Sequence, residues 1–243
     1  DEAIGFISMG VGGKILLNDN TLTIGTGSGA VTLAANAAAI SGSGNIVIDG
    51  NGRQKFSATS TYTGSTTINS GELITDNTLA LGNNSAVTVS SGGKLLLNDS
   101  LAIGSLAGSG EVNLSNLYGG HILLTGGDNT STTFSGVLSG TGSLTKTGTG
   151  ILNLTGINSY SGSTLIDSGR LAVNGSIANS ATTVNAGGTL GGSGTVGSIS
   201  LNGGILAPGN SIGTLNVAGD LDFSAGGVFE VEVDAAGNND RIN

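Results

Sequence analysis

The sequence predicts an all-β fold, a parallel β-helix in which one chain winds as a solenoid. Three observations predict it. Apolar and polar residues alternate at period two, the spacing of half-buried strands. Gly, Asn and Ser interrupt these runs every 5 to 12 residues, and they are the residues that accept positive φ or bond their own backbone in turns. Stretches of sequence also recur far apart and at unequal spacings. A solenoid tolerates unequal spacing because each coil touches only its neighbours, whereas a closed barrel or propeller wants a fixed period. A sandwich of short strands explains the alternation but not the recurrence.

Taken in order, "GGKILLND" (12–19) sets a short apolar run between paired Gly and Asn-Asp. "AANAAAI" (34–40) reads either as a short helical turn or as a rung of small residues. "TYTGSTTINSGELIT" (61–75) returns inside "TGINSYSGSTLIDSGRLAVNG" (155–175), pairing Tyr62 with Tyr160, Gly64 with Gly162, Ile68 with Ile166, Gly71 with Gly169 and Leu73 with Leu171 at a separation of 98. "GGKLLLND" (92–99) repeats the first stretch 80 residues on, and "VSSGGKL" (89–95) matches "VNAGGTL" (184–190). "GILNLTG" (150–156) sets Leu152 and Leu154 against Asn153 and Thr155. "GVFEVEVD" (227–234) sets Phe229, Val231 and Val233 against Glu230, Glu232 and Asp234, a half-buried strand by pattern. Turns are expected at 25–29, 41–45, 82–85, 108–110, 139–143 and 191–197. No linker or change of composition divides residues 1–243, which read as one domain. Rungs of roughly 20–25 residues give about ten to twelve coils, a stack ~50 Å long at the ~4.8 Å strand spacing. Leu, Ile and Val fill the interior, Gly and Asn the corners, Ser and Thr the outside.

Composition narrows the function. There are 46 Gly, one Pro, one His and no Cys or Trp, and charged residues make up 9% against a norm of roughly 25%. Gly without a three-residue period excludes collagen, and abundant β-branched residues argue against disorder. The net charge of −9 with seven scattered cations excludes nucleic acid, which needs a basic stripe, and argues against an anionic membrane surface. No apolar run is long enough for a membrane helix, and "DEAIGFISMG" lacks the regions of a signal peptide, so any such segment is removed or lies upstream. Lack of Cys suits export through an oxidising compartment.

Motifs that resemble chemistry lack their settings. "GNSIG" (209–213) spells a nucleophile elbow without a following helix or a His partner. "GSGTVG" (192–197) spells a dinucleotide fingerprint without a helix to hold pyrophosphate. His121 stands alone, a surface or corner residue with no companions for a metal site. Lys14, Lys94 and Lys146 read as exposed corner charges. Asp220, Asp222, Glu230, Glu232 and Asp234 could pair for hydrolysis or hold Ca²⁺, but read better as a charged outer face that discourages pairing with other chains. Tyr62 and Tyr160 read as packing or corner residues rather than ligand contacts. No catalytic, cofactor-binding or metal site is assigned, and no cofactor.

The stretch 138–177 resembles the passenger-associated repeat of bacterial autotransporters, whose pattern is carried here by Gly142, Leu144, Lys146, Gly148, Gly150, Leu152, Leu154, Gly156, Asn158, Tyr160, Gly162, Thr164, Ile166, Gly169 and Leu171. A degraded copy occupies 51–75, residues 187–221 with Pro208 resemble the segment that follows such a repeat, and the motifs cover about half the chain. The resemblance implies a right-handed, single-stranded parallel β-helix on the surface of a Gram-negative cell, carried out by a C-terminal β-barrel absent from this chain. It places residues 1–243 as a barrel-proximal passenger fragment.

The functional expectation is a β-helical stalk or adhesin. Its partners are the host cell surface or matrix, neighbouring cells by self-association, and its own barrel in the precursor, with no direct membrane insertion. The alternatives are a folding and export module with no ligand of its own and, less well supported, a glycan-active enzyme. Seven scattered cations and 3% aromatics suit neither a lyase nor a sugar platform.

Overall fold

The computed structural model describes residues 2–4, 12–26, 33–36, 38–82 and 84–243. Among these there is no helix, and the strands pair mostly in parallel along a coil of about ten turns. Three faces alternate. The first runs through Thr21–Thr26, Asn45–Gly50, the start of Thr66–Thr75, the start of Ala86–Leu97, Ser105–Gly108, Thr132–Phe134, Ile151–Leu154, Gly169–Val173, Gly188–Gly192 and Ile205–Pro208. The second carries Leu33–Asn36, Arg53–Phe56, Glu111–Asn113, Val137–Ser139, Ser176–Ile177, Thr195–Val196 and Thr214–Val217. The third carries Leu101–Ile103, Ile122–Thr125, Ser143–Lys146, Thr164–Ile166, Thr182–Asn185 and Ile199–Asn202.

Period two does what it predicts through most of the coil. Leu152, Leu171, Leu190 and Leu206 stand in register on successive rungs, all buried. Their polar neighbours face out and bond along the axis: the Asn174 amide donates to Asn153 Oδ1 at 2.8 Å, and the Asn210 amide donates to Asn174 Oδ1 at 2.8 Å. Hydroxyls and amides thus cover the exposed faces, which explains a folded chain with so little charge.

Rung length varies more than expected, from 16 residues between Leu190 and Leu206 to 27 between Thr214 and Arg241. The segment 34–40 follows its second reading. Leu33–Asn36 and Ala39–Ser41 are strands, with residue 37 outside the described residues. The turns expected at 25–29 and 82–85 also lie partly outside them.

The sequence copies do not stack on one another. Ile46 pairs with Thr66 on the first face, whereas their counterparts 98 residues on, Leu144 and Thr164, pair on the third. Leu95 sits on the second face with Val112, and its counterpart Leu190 on the first with Leu171. Each copy is therefore rotated by one face.

One expected strand is corrected. In 227–234 the one strand is Val228–Phe229, paired on one side with Ile205–Leu206, and Val233 adds an isolated antiparallel bridge to Asn239. Phe229, Val231 and Val233 are exposed. Alternation supplies an apolar face, but burial needs something packed against it.

Candidate functional site

The repeated stretch builds the same buried device twice. Tyr160 Oη lies 2.5 Å from Thr164 Oγ1, which lies 2.7 Å from Ser180 Oγ, and Ser180 Oγ donates to the Gly162 carbonyl at 2.7 Å. Tyr62, Thr66, Ser85 and the Gly64 carbonyl repeat the chain, with Thr66 Oγ1 3.2 Å from Ser85 Oγ and Ser85 Oγ donating at 2.8 Å. Each hydroxyl has one proton. Since the serine gives its proton to the carbonyl, the threonine donates to the serine and the tyrosine to the threonine. Both tyrosines are fully buried. They are packing residues, and no open surface reaches them.

Burial pushes the Tyr62 and Tyr160 phenols up to about 12, and the hydroxyl partners offset it only in part. The ordinary value is 10.0, so an unfolded chain ionises first and the folded state holds its protons longer. The tyrosine contribution is therefore constant below pH 10 and is lost as pH rises from about 10 to 12. In a Tyr118→Phe background, phenolate absorbance at high pH is expected to rise together with loss of β-sheet circular dichroism; phenolate formation in a fully folded chain would contradict the burial.

Lys146 corrects the sequence reading. It is 1% exposed, and its ammonium donates to the carbonyls of Thr147 (2.6 Å), Gly148 (3.1 Å) and Ser168 (3.3 Å). Burial lowers its pKa, opposed by the charge of Asp128. Ile48, 98 residues earlier, holds the equivalent place and is also buried. Lys146→Ile is expected to cost about 1–3 kcal/mol, because three carbonyls lose their donor; an unchanged urea midpoint would contradict this. Lys14 is exposed as expected, and Lys94 is exposed but paired with Glu111 at 2.9 Å.

Lys94 belongs to a ladder of alternating charge on the second face, in which Arg53, Glu72, Lys94 and Glu111 stand in register on four rungs. Arg53 pairs with Glu72 at 2.5 Å, and Lys55 with Asp76 at 2.5 Å. Such part-exposed pairs contribute little stability, ~0–1 kcal/mol each, but like charges meet if the strands slip by one rung. The ladder fixes register.

A groove of about 400 Å³ opens on the first face, lined by Ile151, Arg170, Ala207, Pro208, Glu230 and Glu232 among others. Its guanidinium is already engaged, with Arg170 Nη2 donating to the carbonyls of Gly209 (2.7 Å) and Ala207 (3.5 Å). Ser211 of "GNSIG" lies at its edge with no helix following, and "GSGTVG" spans a corner between Gly188–Gly192 and Thr195–Val196.

His121 sits at a corner far along the chain from that groove, with Nε2 buried and unpaired. Asp220, Asp222, Glu230, Glu232 and Asp234 are all exposed. Asp222 accepts from Ser224, and Asp234 from Ala236 and Asn238. Those bonds hold both carboxyls below their usual range. No group of three or more His, Cys, Asp or Glu gathers as a metal site among the described residues. The buried carboxylate is instead Asp240, which accepts from the backbone N–H of Gly213 (2.8 Å) and Glu232 (2.9 Å) and ties the loop 230–240 to the coil. Nothing in the sequence marks it off from its exposed neighbours. The tyrosine partners were findable: Thr66 and Thr164 recur at the same offset of four.

Residues 49–74 and 144–173 match the passenger-associated-transport-repeat family. This is narrower than the half of the chain that the motifs suggest. A stretch of 102 residues, 41% of this chain, is 37% identical to the adhesin BmaC autotransporter of Brucella suis biovar 1 (strain 1330), and the match covers 3% of that protein's length. No solved structure matches the chain. The two matched repeats, set in a parallel β-helix and built around the same buried hydroxyl chain, and the similarity to an autotransporter adhesin support an autotransporter passenger domain.

Proposed function

We propose that the chain is a surface-exposed passenger segment that serves as a β-helical stalk with adhesive capacity toward host cells, matrix or neighbouring cells. In this reading it is anchored on a Gram-negative cell through an outer-membrane β-barrel outside the chain. The observation that carries the reading is the outer surface. It presents uncharged hydroxyl and amide ladders along a continuous coil, and Arg53, Glu72, Lys94 and Glu111 of its second face are paired with one another. The adhesin-named relative supports it. The passenger repeat and the adhesin-named relative favour a non-enzymatic role. The test is saturable, competable binding of the purified 243-residue chain to host cells and matrix proteins. Absence of binding by a well-folded chain would reduce the role to a spacer.

A second reading is favoured by the repeated hydroxyl chain, which closes a rung without presenting anything to solvent. The repeats then serve folding and export of the passenger, stacking outside the cell and resisting back-sliding. Deleting 138–175 is expected to abolish surface display, and unaffected display would sink the reading.

A further inference from the structure

The corner between the second and third faces is crossed by three residues at 98–100 and again at 140–142. Between Glu111–Asn113 and Ile122–Thr125 the same crossing takes eight, 114–121. The extra chain folds as a small antiparallel hairpin, Ser115–Asn116 against Gly119–Gly120. At its tip Leu117 is 98% exposed and Tyr118 95%. The coil closes without such an insertion one rung below and one rung above, so its packing does not require it. Insertions of this kind in solenoids project from one face and commonly bind.

The hairpin is built to hold its tip in place. Asn116 Oδ1 accepts from the Tyr118 N–H at 2.8 Å, and its amide donates to the Asn98 carbonyl on the rung below at 3.0 Å. The base is closed by the His121 N–H on the Leu114 carbonyl at 2.7 Å. Ile122 and Leu124, on the strand that leaves the hairpin, also face solvent.

We infer that this hairpin is the chain's docking element, and that its partner is a protein surface with an apolar pocket bordered by basic side chains. The inference rests on the adhesive reading above. An aliphatic and an aromatic side chain side by side fit a protein pocket, where tyrosine is a favoured anchor. A sugar ring would use the tyrosine and gain nothing from Leu117. Charge selects the rim. Residues 112–127 carry no formal charge, Asp99 on the adjacent corner is exposed, and the nearby cations are taken, Lys94 by Glu111 and Lys146 by buried carbonyls. The tip is thus an apolar point beside the exposed carboxylate of Asp99, and basic groups around a pocket complement it.

The test uses the whole chain, with its β-structure checked by circular dichroism. The probes are immobilised collagen, fibronectin and laminin, neutral phosphatidylcholine vesicles, and a glycan array. Both tip side chains lie in solvent, so the Leu117→Ser/Tyr118→Ser variant folds as the parent does. Saturable binding to at least one matrix protein is expected, weakened at least tenfold in that variant, kept in Tyr118→Phe, and reduced by salt. Parent and variant binding a matrix protein equally would overturn the docking assignment and leave the adhesive reading standing. Binding only to vesicles or glycans would overturn the partner class. No binding by the folded parent to any probe would overturn both.

Discussion

Gly162→Ala is expected to destabilise the coil by about 3 kcal/mol, at the upper end of the cost of overpacking. A Cβ at this position would lie 2.2 Å from the Gly142 carbonyl oxygen and 2.5 Å from its carbon. The obstacle is backbone of the neighbouring rung, held at the strand spacing by hydrogen bonds on both sides, so it has nowhere to withdraw. Gly64 meets the same obstacle, with the Gly44 carbonyl oxygen at 2.2 Å. Gly64→Ala is therefore an internal replicate and should cost a similar amount. Long repeat arrays can unfold in parts, so local hydrogen exchange around 138–177 and 42–75 is the appropriate readout beside urea denaturation. A loss below about 0.5 kcal/mol in both variants, the range of neutral surface changes, would mean that the rungs are not packed this closely.

Tyr160→Ala carries the largest expected effect, about 4 kcal/mol, in the range found for removing a buried aromatic side chain. It empties a fully buried site and leaves Thr164 Oγ1 without its donor. The direction of the hydroxyl chain sharpens the prediction. Tyr160→Phe removes only the first donor, at about 1 kcal/mol. Thr164→Val strands the tyrosine proton on one side and the serine acceptor on the other, and should cost more than Tyr160→Phe. The reverse order, measured by urea denaturation, would contradict the relay.

Much of the fold was legible in the sequence, because period two reports burial directly in a coil built of strands. Leu152 and Leu154 are inside and Asn153 faces out, as their alternation requires. The long-range match of Tyr62 and Tyr160 marked the structural unit. Lys146 shows a signal that was present and outweighed by residue type. Its parity with Leu144 points it inward, but a lysine reads as exposed unless its acceptors are known, and one of them, the Ser168 carbonyl, arrives from the next rung. The rotation of the repeat copies by one face was not legible, because a separation in residues does not report the number of turns it contains. The alternation at 227–234 failed for a different reason. A pattern names the face that could be buried, and the covering element is a matter of tertiary structure. No site chemistry was assigned from the sequence, and Asp240 and the hairpin tip stood out only once their burial and exposure were known.

The central claim is that the stretch recurs because it closes a rung in the same way twice. The measurement closest to it is site-resolved hydrogen exchange on Tyr62→Phe and Tyr160→Phe, each alongside host-cell binding. The account predicts a local loss of about 1 kcal/mol at each copy, confined to the adjoining rungs, with binding per folded molecule unchanged. Unchanged protection at both copies together with lost binding would make the tyrosines ligand contacts and contradict the account.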